Sequence, residues 1–305
     1  KAKLLVVNRA NGSIEHRFFE DILSYLNKDD LLILNNTKVL ACRLMGRKAT
    51  GGKVEVFLTR RKTGSIFECL IQPSRTKTGE KIIFAGGEIT GIISGRGEIS
   101  FRLEDANAIY KFGQVPLPPY IKREPEDLDK VYYQTVYAEK EGAIASPTAG
   151  LHFTEELLKE IASRGIDAAY ITLHVGLGTF KPVKSDNITE HKMEPEYFNV
   201  PKNTQEKIEN ARLDKKRIVA VGTTSLRALE SYANGVKEGN TDLFIYPGYK
   251  FKLVGSLLTN FHLPKTTLFM LVCAFGGENL MKKAYQEAVA QKYRFYSYGD
   301  AMLII

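Results

Sequence analysis

Between Arg43 and Leu103 the chain shows no helical periodicity, only short alternating runs. These are Val54/Val56/Leu58, Ile66/Glu68/Leu70, Ile82/Phe84, Ile89/Gly91/Ile93 and Ile99/Phe101/Leu103. Turn residues separate them at Thr63-Gly64, Thr78-Gly79, Gly86-Gly87 and Gly95-Arg96-Gly97. An apolar residue at every second position places one face of each strand in a core. Several such strands, closely spaced and without a helix, fold as a small antiparallel barrel or sandwich. The same stretch holds twelve Lys/Arg against five Asp/Glu, a local excess of seven in a chain whose net charge is +8. A solvated basic face is the ordinary outcome of such a composition. Clustering this uneven instead favours a surface for a polyanion, because neighbouring cations displace counterions from phosphates.

On either side the texture differs. Lys3 to Asn8 and Leu31 to Leu34 read as buried strands, with Phe18, Phe19, Ile22, Leu23 and Leu26 at helical spacing between them. From Tyr132 onward strands alternate with helices. Ala168 to Val175, Arg217 to Val221 and a run containing Leu257 and Leu258 are strands. Thr154, followed by Glu155 and Glu156, caps a helix that stops near Gly165. Leu280, Met281, Ala284, Tyr285, Ala288 and Val289 form one apolar helical face. The expectation is therefore an α/β fold: a mainly parallel sheet flanked by helices, residues 1–42 and 112–305, with residues 43–111 inserted as a basic antiparallel β-barrel. Gly113 to Pro119, with prolines at 116, 118 and 119, is a stiff connector.

The longest apolar run, Leu268 to Phe275, is too short to span a bilayer, and no signal peptide is visible. Cys42, Cys69 and Cys273 are far apart in apolar surroundings, which suits free thiols in a reducing cytosol.

Four runs gather Gly, Thr and Ser, three of them around a histidine: Ser146 to Thr154, His174 to Phe180, Gly222 to Arg227 and Thr259 to Thr267. Loops of that kind collect at the carboxyl edge of an α/β sheet, where ligands bind. Gly176-Leu-Gly178 lacks the third glycine and following helix of a dinucleotide or methyltransferase fingerprint, so it reads as a tight turn facing a ligand. Gly222-Thr-Thr-Ser225 joins a strand to a helix, leaving backbone N–H groups for a carboxylate or phosphate; Arg227 is either a second clamp or a surface residue. His152, His174 and His262 lie inside the runs and supply a general acid or base, whereas His191 reads as structural. No pair of histidines has the spacing of a helical metal site, so no metal is expected. Lys265 either meets an anion or is solvated, and Tyr293 to Asp300 combines aromatics for core packing or base stacking with an arginine.

Taken in order, these runs resemble the bacterial S-adenosylmethionine:tRNA ribosyltransferase-isomerase family of queuosine biosynthesis. The matching stretches include Tyr133-Gln-Thr-Val-Tyr137, Pro147 to Thr154, Leu173 to Phe180, His191-Lys-Met193, Val221 to Ser225, Tyr246-Pro-Gly-Tyr249, Thr259 to Lys265 and Phe295 to Asp300. Asn35 to Val39 and Pro116 to Tyr120 extend the likeness toward the start, where the family usually carries a further N-terminal segment. The resemblance implies an α/β domain with an inserted barrel. It also implies ribosyl transfer from S-adenosylmethionine, used as a substrate, to the preQ1 base in the anticodon region of tRNA. The ribose is isomerised to give epoxyqueuosine, and adenine and methionine are released.

On this reading His174, His152 and His262 are the catalytic candidates, with His174 favoured for the C5′ proton. Substrate contacts are expected from Thr148, Gly150, Gly176, Gly178, Thr179, Thr223, Thr224, Arg227, Asn260, Lys265 and Asp300, with Arg227 or Lys265 on the methionine carboxylate. Arg60, Arg61, Lys62, Arg75 and Lys77 are expected to hold tRNA phosphates. No cofactor beyond the S-adenosylmethionine substrate, no membrane, a monomer and a cytoplasmic location complete the expectation. The rivals are an S-adenosylmethionine-dependent RNA methyltransferase and a non-catalytic RNA-binding scaffold.

Overall fold

A computed structural model describes residues 1–118, 120–121, 123–176, 178 and 188–305. Pro119, Thr179 and Phe180, each part of an expectation above, lie outside the described residues. The chain forms two compact units, one of residues 1–38 and 134–305, the other of residues 39–133.

The smaller unit is a closed six-stranded antiparallel barrel. Its strands are Arg43–Lys48, Lys53–Arg61, Ile66–Gln72, Lys81–Phe84, Ile89–Gly95 and Glu98–Phe101. Alternation does what the sequence implied: Val54, Val56 and Leu58 point inward with Phe67, Cys69, Ile82, Phe84, Ile93, Ile99 and Phe101. The charged residues between them face out.

The larger unit is built on a nine-stranded sheet. At its centre Asp167–Leu173, Asp30–Asn35, Arg217–Val221 and Ser256–Asn260 run parallel, in that spatial order. Ala301–Ile304 follows antiparallel to Ser256–Asn260, then Lys3–Val7 parallel to it, then Ile14–Phe18 antiparallel at the edge. On the other side Glu196–Asn199 and Glu238–Thr241 pair antiparallel. The expected mainly parallel sheet is thus corrected to a mixed one. Ala301–Ile304 is reversed because the Tyr293–Asp300 loop delivers it to the edge where Ser256–Asn260 ends, with Asn260 opposite Ala301.

The sheet is buried on both faces. Leu5, Val7, Leu31, Ile33, Ile171 and Leu257 pack with Ile208, Leu229, Val272 and Met281 from four helices. Leu4, Val6, Leu32, Leu34 and Val219 pack with Phe19, Ile22, Phe153 and Ile161 on the other face. Thr154 caps Glu155–Ser163 by accepting from the Leu157 N–H, and Thr266 caps Thr267–Gly276 in the same way through Phe269. Phe19–Ser24, read as helical, is a 3₁₀ segment.

Candidate active site at the carboxyl edge of the sheet

The four central parallel strands end on one edge, and their last residues carry the chemistry: Asn35, His174, Gly222-Thr223-Thr224 and Asn260 to His262. The connection from Asp30–Asn35 to Asp167–Leu173 covers one face of the sheet with Glu155–Ser163, and the one that leaves Arg217–Val221 covers the other face with Thr223–Ala233 before it reaches Glu238–Thr241. Such a switch point opens a crevice in an α/β sheet. Asn35 spans it. Its amide donates to the Leu173 carbonyl (2.9 Å) and to Thr224 Oγ1 (3.2 Å), and its Oδ1 accepts from Leu173 N–H (3.0 Å) and Thr37 N–H (3.1 Å). One buried side chain therefore ties three strand ends together.

The histidines occupy two parts of this edge. His174 is half-buried, stacked on Tyr197 with centroids 5.5 Å apart, and its Nδ1 is 2.8 Å from Thr37 Oγ1. Burial lowers its pKa. His152 and His262 belong with Ser256–Asn260, three strands away, about 14 Å at ~4.8 Å per strand. They therefore lie apart from His174 along the edge. Asn260 lies 3.3 Å from His152 Nε2, and Thr148 Oγ1 donates to Asn260 Oδ1 at 3.0 Å. His262 Nε2 is 2.8 Å from Thr259 Oγ1, whose proton is directed at the Asn260 carbonyl (3.3 Å). Burial takes the pKa of both His152 and His262 down to about 4, with Asp300 opposing the shift at His152.

Gly150 admits the Tyr137 hydroxyl, which would lie 2.0 Å from a Cβ at that position. Tyr137 Oη, Thr135 Oγ1 and Ser146 Oγ are buried without a hydrogen-bond partner among the described residues. Buried polar atoms of this kind are suited to pair with the polar groups of a ligand.

Thr223–Ala233 begins at the crevice with Gly222 at φ 92°, and no side chain caps it. Its first N–H groups and positive dipole end face the carboxyl edge, an arrangement that accepts an anion. Arg227, expected as a second clamp or a surface residue, is not at the surface. It is 3 % exposed and ion-paired with the equally buried Glu196. It also donates to the Leu243 carbonyl at 3.1 Å. Glu196 in turn accepts from Gly176 N–H at 2.8 Å, so Arg227 supports the Gly176 turn from behind. Gly178 packs against Glu194, where a Cβ would come within 2.8 Å. Lys265 is exposed at φ 61°. Asp300 accepts from Lys3 N–H (2.9 Å), Arg294 N–H (2.7 Å) and the Arg294 guanidinium (2.7 Å), which closes the Tyr293–Asp300 loop. His191 stacks edge-on against Phe244.

On the barrel, Arg60 forks onto Glu68 (2.6 and 3.1 Å) and Lys62 pairs with Glu98 (2.6 Å). Arg61 donates to the Gly64 carbonyl at 2.8 Å. Arg75 and Lys77 are exposed in the loop before Lys81–Phe84. The described residues contain no cluster of three His, Cys, Asp or Glu able to hold a metal ion.

Sequence reasoning passed over Asn35, Thr37, Tyr137 and Glu196. Asn35 and Thr37 had a signal, polar residues closing an apolar strand. Glu196 had none, because its partners are 20 and 31 positions away.

Fold and edge together define an α/β protein with a ligand crevice at a topological switch point and a separate basic barrel. The queuosine biosynthesis protein family matches residues 1–304, and the chain belongs to that family. It is 54 % identical over 310 residues to the S-adenosylmethionine:tRNA ribosyltransferase-isomerase of Sulfurihydrogenibium sp. (strain YO3AOP1), covering 99 % of this chain and 92 % of that one. It is 50 % identical to the same-named protein of Aquifex aeolicus, covering 100 % and 92 %. The crystal structure of the Thermotoga maritima S-adenosylmethionine tRNA ribosyltransferase superposes with a TM-score of 0.56 at 37 % identity, covering 100 % of this chain and 92 % of that one.

Proposed function

We propose that this protein transfers the ribose moiety of S-adenosylmethionine to the preQ1 base of a tRNA anticodon and isomerises it, giving epoxyqueuosine-tRNA, adenine and methionine. The observation that carries this reading is the likeness to relatives of that name along essentially the whole chain, with 92 % of each relative covered. The crevice supplies groups suited to the steps. A sulfonium acidifies the neighbouring C5′ proton, so a single neutral base starts the reaction. His174, held at Nδ1 by Thr37 and kept neutral by burial, is that base. The uncapped start of Thr223–Ala233 receives the methionine carboxylate, the task expected above of Arg227 or Lys265. Adenine departs as negative charge develops on the purine, which donors at the Asn260 end stabilise. As the bond from C1′ to adenine breaks and adenine takes up a proton, the neutral amine of preQ1 bonds C1′ and gives up a proton; methionine leaves when the C5′–sulfur bond breaks during the isomerisation to the epoxycyclopentane.

The barrel holds the tRNA backbone through Arg60, Arg61, Lys62, Arg75 and Lys77, while the base is read at the crevice. We take the protein to act as a cytoplasmic monomer without a cofactor; no helix among the described residues is long and apolar enough to cross a membrane. The test is incubation with S-adenosylmethionine and preQ1-containing tRNA, followed by chromatography of the small molecules. Equal amounts of adenine and methionine support the proposal. S-adenosylhomocysteine would identify a methyltransferase, and an absence of release a scaffold.

A further inference from the structure

Asn260 makes three contacts that fix which ring nitrogen of His152 carries the proton. Its amide nitrogen is 3.3 Å from the Tyr296 carbonyl oxygen and 3.3 Å from His152 Nε2. Its Oδ1 accepts from the Thr148 hydroxyl at 3.0 Å. A backbone carbonyl only accepts, so the amide atom facing Tyr296 is the NH₂ group; the flipped amide would set two oxygens against each other. That same NH₂ group faces His152 Nε2 and can only donate to it. Nε2 therefore contributes its lone pair, and in the neutral ring the single proton resides on Nδ1. Nδ1 has no hydrogen bond among the described residues, although the ring is otherwise fixed by stacking on Phe19, with centroids 4.7 Å apart and planes at 24°. Burial keeps the ring neutral, with Asp300 opposing and the Arg294 charge assisting.

We infer that His152 is a neutral hydrogen-bond donor, presenting Nδ1–H to an acceptor atom of the nucleoside substrate, and that Asn260 is the positioning residue that sets this tautomer. The inference rests on the function proposed above for this site. It removes His152 from the candidates for the base, since its only lone pair is occupied. It also joins two sequence runs, Thr148 to His152 and Thr259 to His262, into one device.

Nitrogen NMR of the protein labelled with ¹⁵N-histidine tests it directly. At neutral pH the His152 signals should show a protonated Nδ1 and an unprotonated Nε2, and S-adenosylmethionine should shift the Nδ1–H resonance. In Asn260→Asp the carboxylate only accepts, so the ring proton should move to Nε2. The kcat should fall roughly 100-fold with the KM for tRNA little changed, the scale of losing one aimed donor. His152→Asn places an amide N–H near the Nδ1 position and should retain activity to within about tenfold, whereas His152→Leu should lose roughly 100-fold. A wild-type ring protonated at Nε2, a Nδ1–H signal indifferent to S-adenosylmethionine, or a His152→Leu variant as active as the wild type would overturn it. Absence of adenine release by the wild type would instead overturn the proposed function, leaving the tautomer to be decided by the spectra.

Discussion

Replacing Arg227 with Met separates a supporting role from substrate binding. Arg227 and Glu196 are both 3 % exposed, and the arginine also donates to the carbonyls of Leu243 (3.1 Å) and Thr241 (3.5 Å). Met fills most of the volume but removes the Arg227 charge from beside the Glu196 carboxylate, which still holds Gly176 N–H at 2.8 Å. Removing one member of a buried ion pair costs ~3–5 kcal/mol. For a unit of this size a loss near 4 kcal/mol lowers the melting temperature by roughly 10 °C. The double variant Arg227→Met/Glu196→Gln removes the negative charge as well and should recover at least ~2 kcal/mol. Thermal and urea unfolding followed by circular dichroism read both numbers. Were Arg227→Met as stable as the wild type but deficient only in S-adenosylmethionine binding, the reasoning would fail, and the arginine would be a clamp after all.

His152 and His262 should make the fold acid-sensitive. Their pKa is about 4 in the folded state against an ordinary histidine value of 6.5, so between those values the unfolded chain binds protons that the folded one does not. Their contribution is complete above about pH 6.5 and is lost as pH falls toward 4, roughly 3 kcal/mol for each ring. Urea midpoints measured from pH 7 to 4.5 should show this, and His262→Gln should flatten the decline; an identical slope in that variant would refute it. A Cβ on Gly142 would lie 2.5 Å from His174 Nε2. Gly142→Ala should therefore displace the ring and cut turnover at least ~10-fold, a loss expected when a catalytic group is misplaced by about 1 Å. Full activity in Gly142→Ala would argue against His174 as the base. On the barrel, Arg75→Ala/Lys77→Ala should make the dependence of log tRNA affinity on log salt shallower by roughly 1.5, at ~0.7–0.9 per phosphate contact. An unchanged slope would place the RNA elsewhere.

What the sequence disclosed followed from local physics. The barrel was legible because period-two alternation recurs five times between Val54 and Leu103, with glycine turns between the runs. The edge was legible because buried strands end abruptly in Asn, His, Gly or Thr. Strand direction was hidden. Ala301-Met-Leu-Ile304 is buried at every position, as is Arg217 to Val221 apart from its first residue, yet one runs against its neighbour Ser256–Asn260 and the other with it. An all-apolar run carries no mark of direction. Arg227 misled for a related reason. An arginine one turn into a helix ordinarily reaches solvent, but Thr223 through Ser231 are all buried, and the charge that allows it, Glu196, is supplied by a distant strand. Asp300 looked like a substrate contact and is taken up by Lys3 and Arg294, one of them 297 positions away. Contacts of that range are set by topology, which no local window reports.

The central claim is that S-adenosylmethionine gives up its ribose and not its methyl group. Two labelled forms, one carrying ¹⁴C in the ribose and the other in the methyl, can be presented separately with preQ1-containing tRNA and the RNA recovered by precipitation. The account predicts ribose label in the tRNA, matched by the adenine released, and methyl label left with free methionine. Methyl label in the RNA, with ribose label retained in S-adenosylhomocysteine, would contradict it.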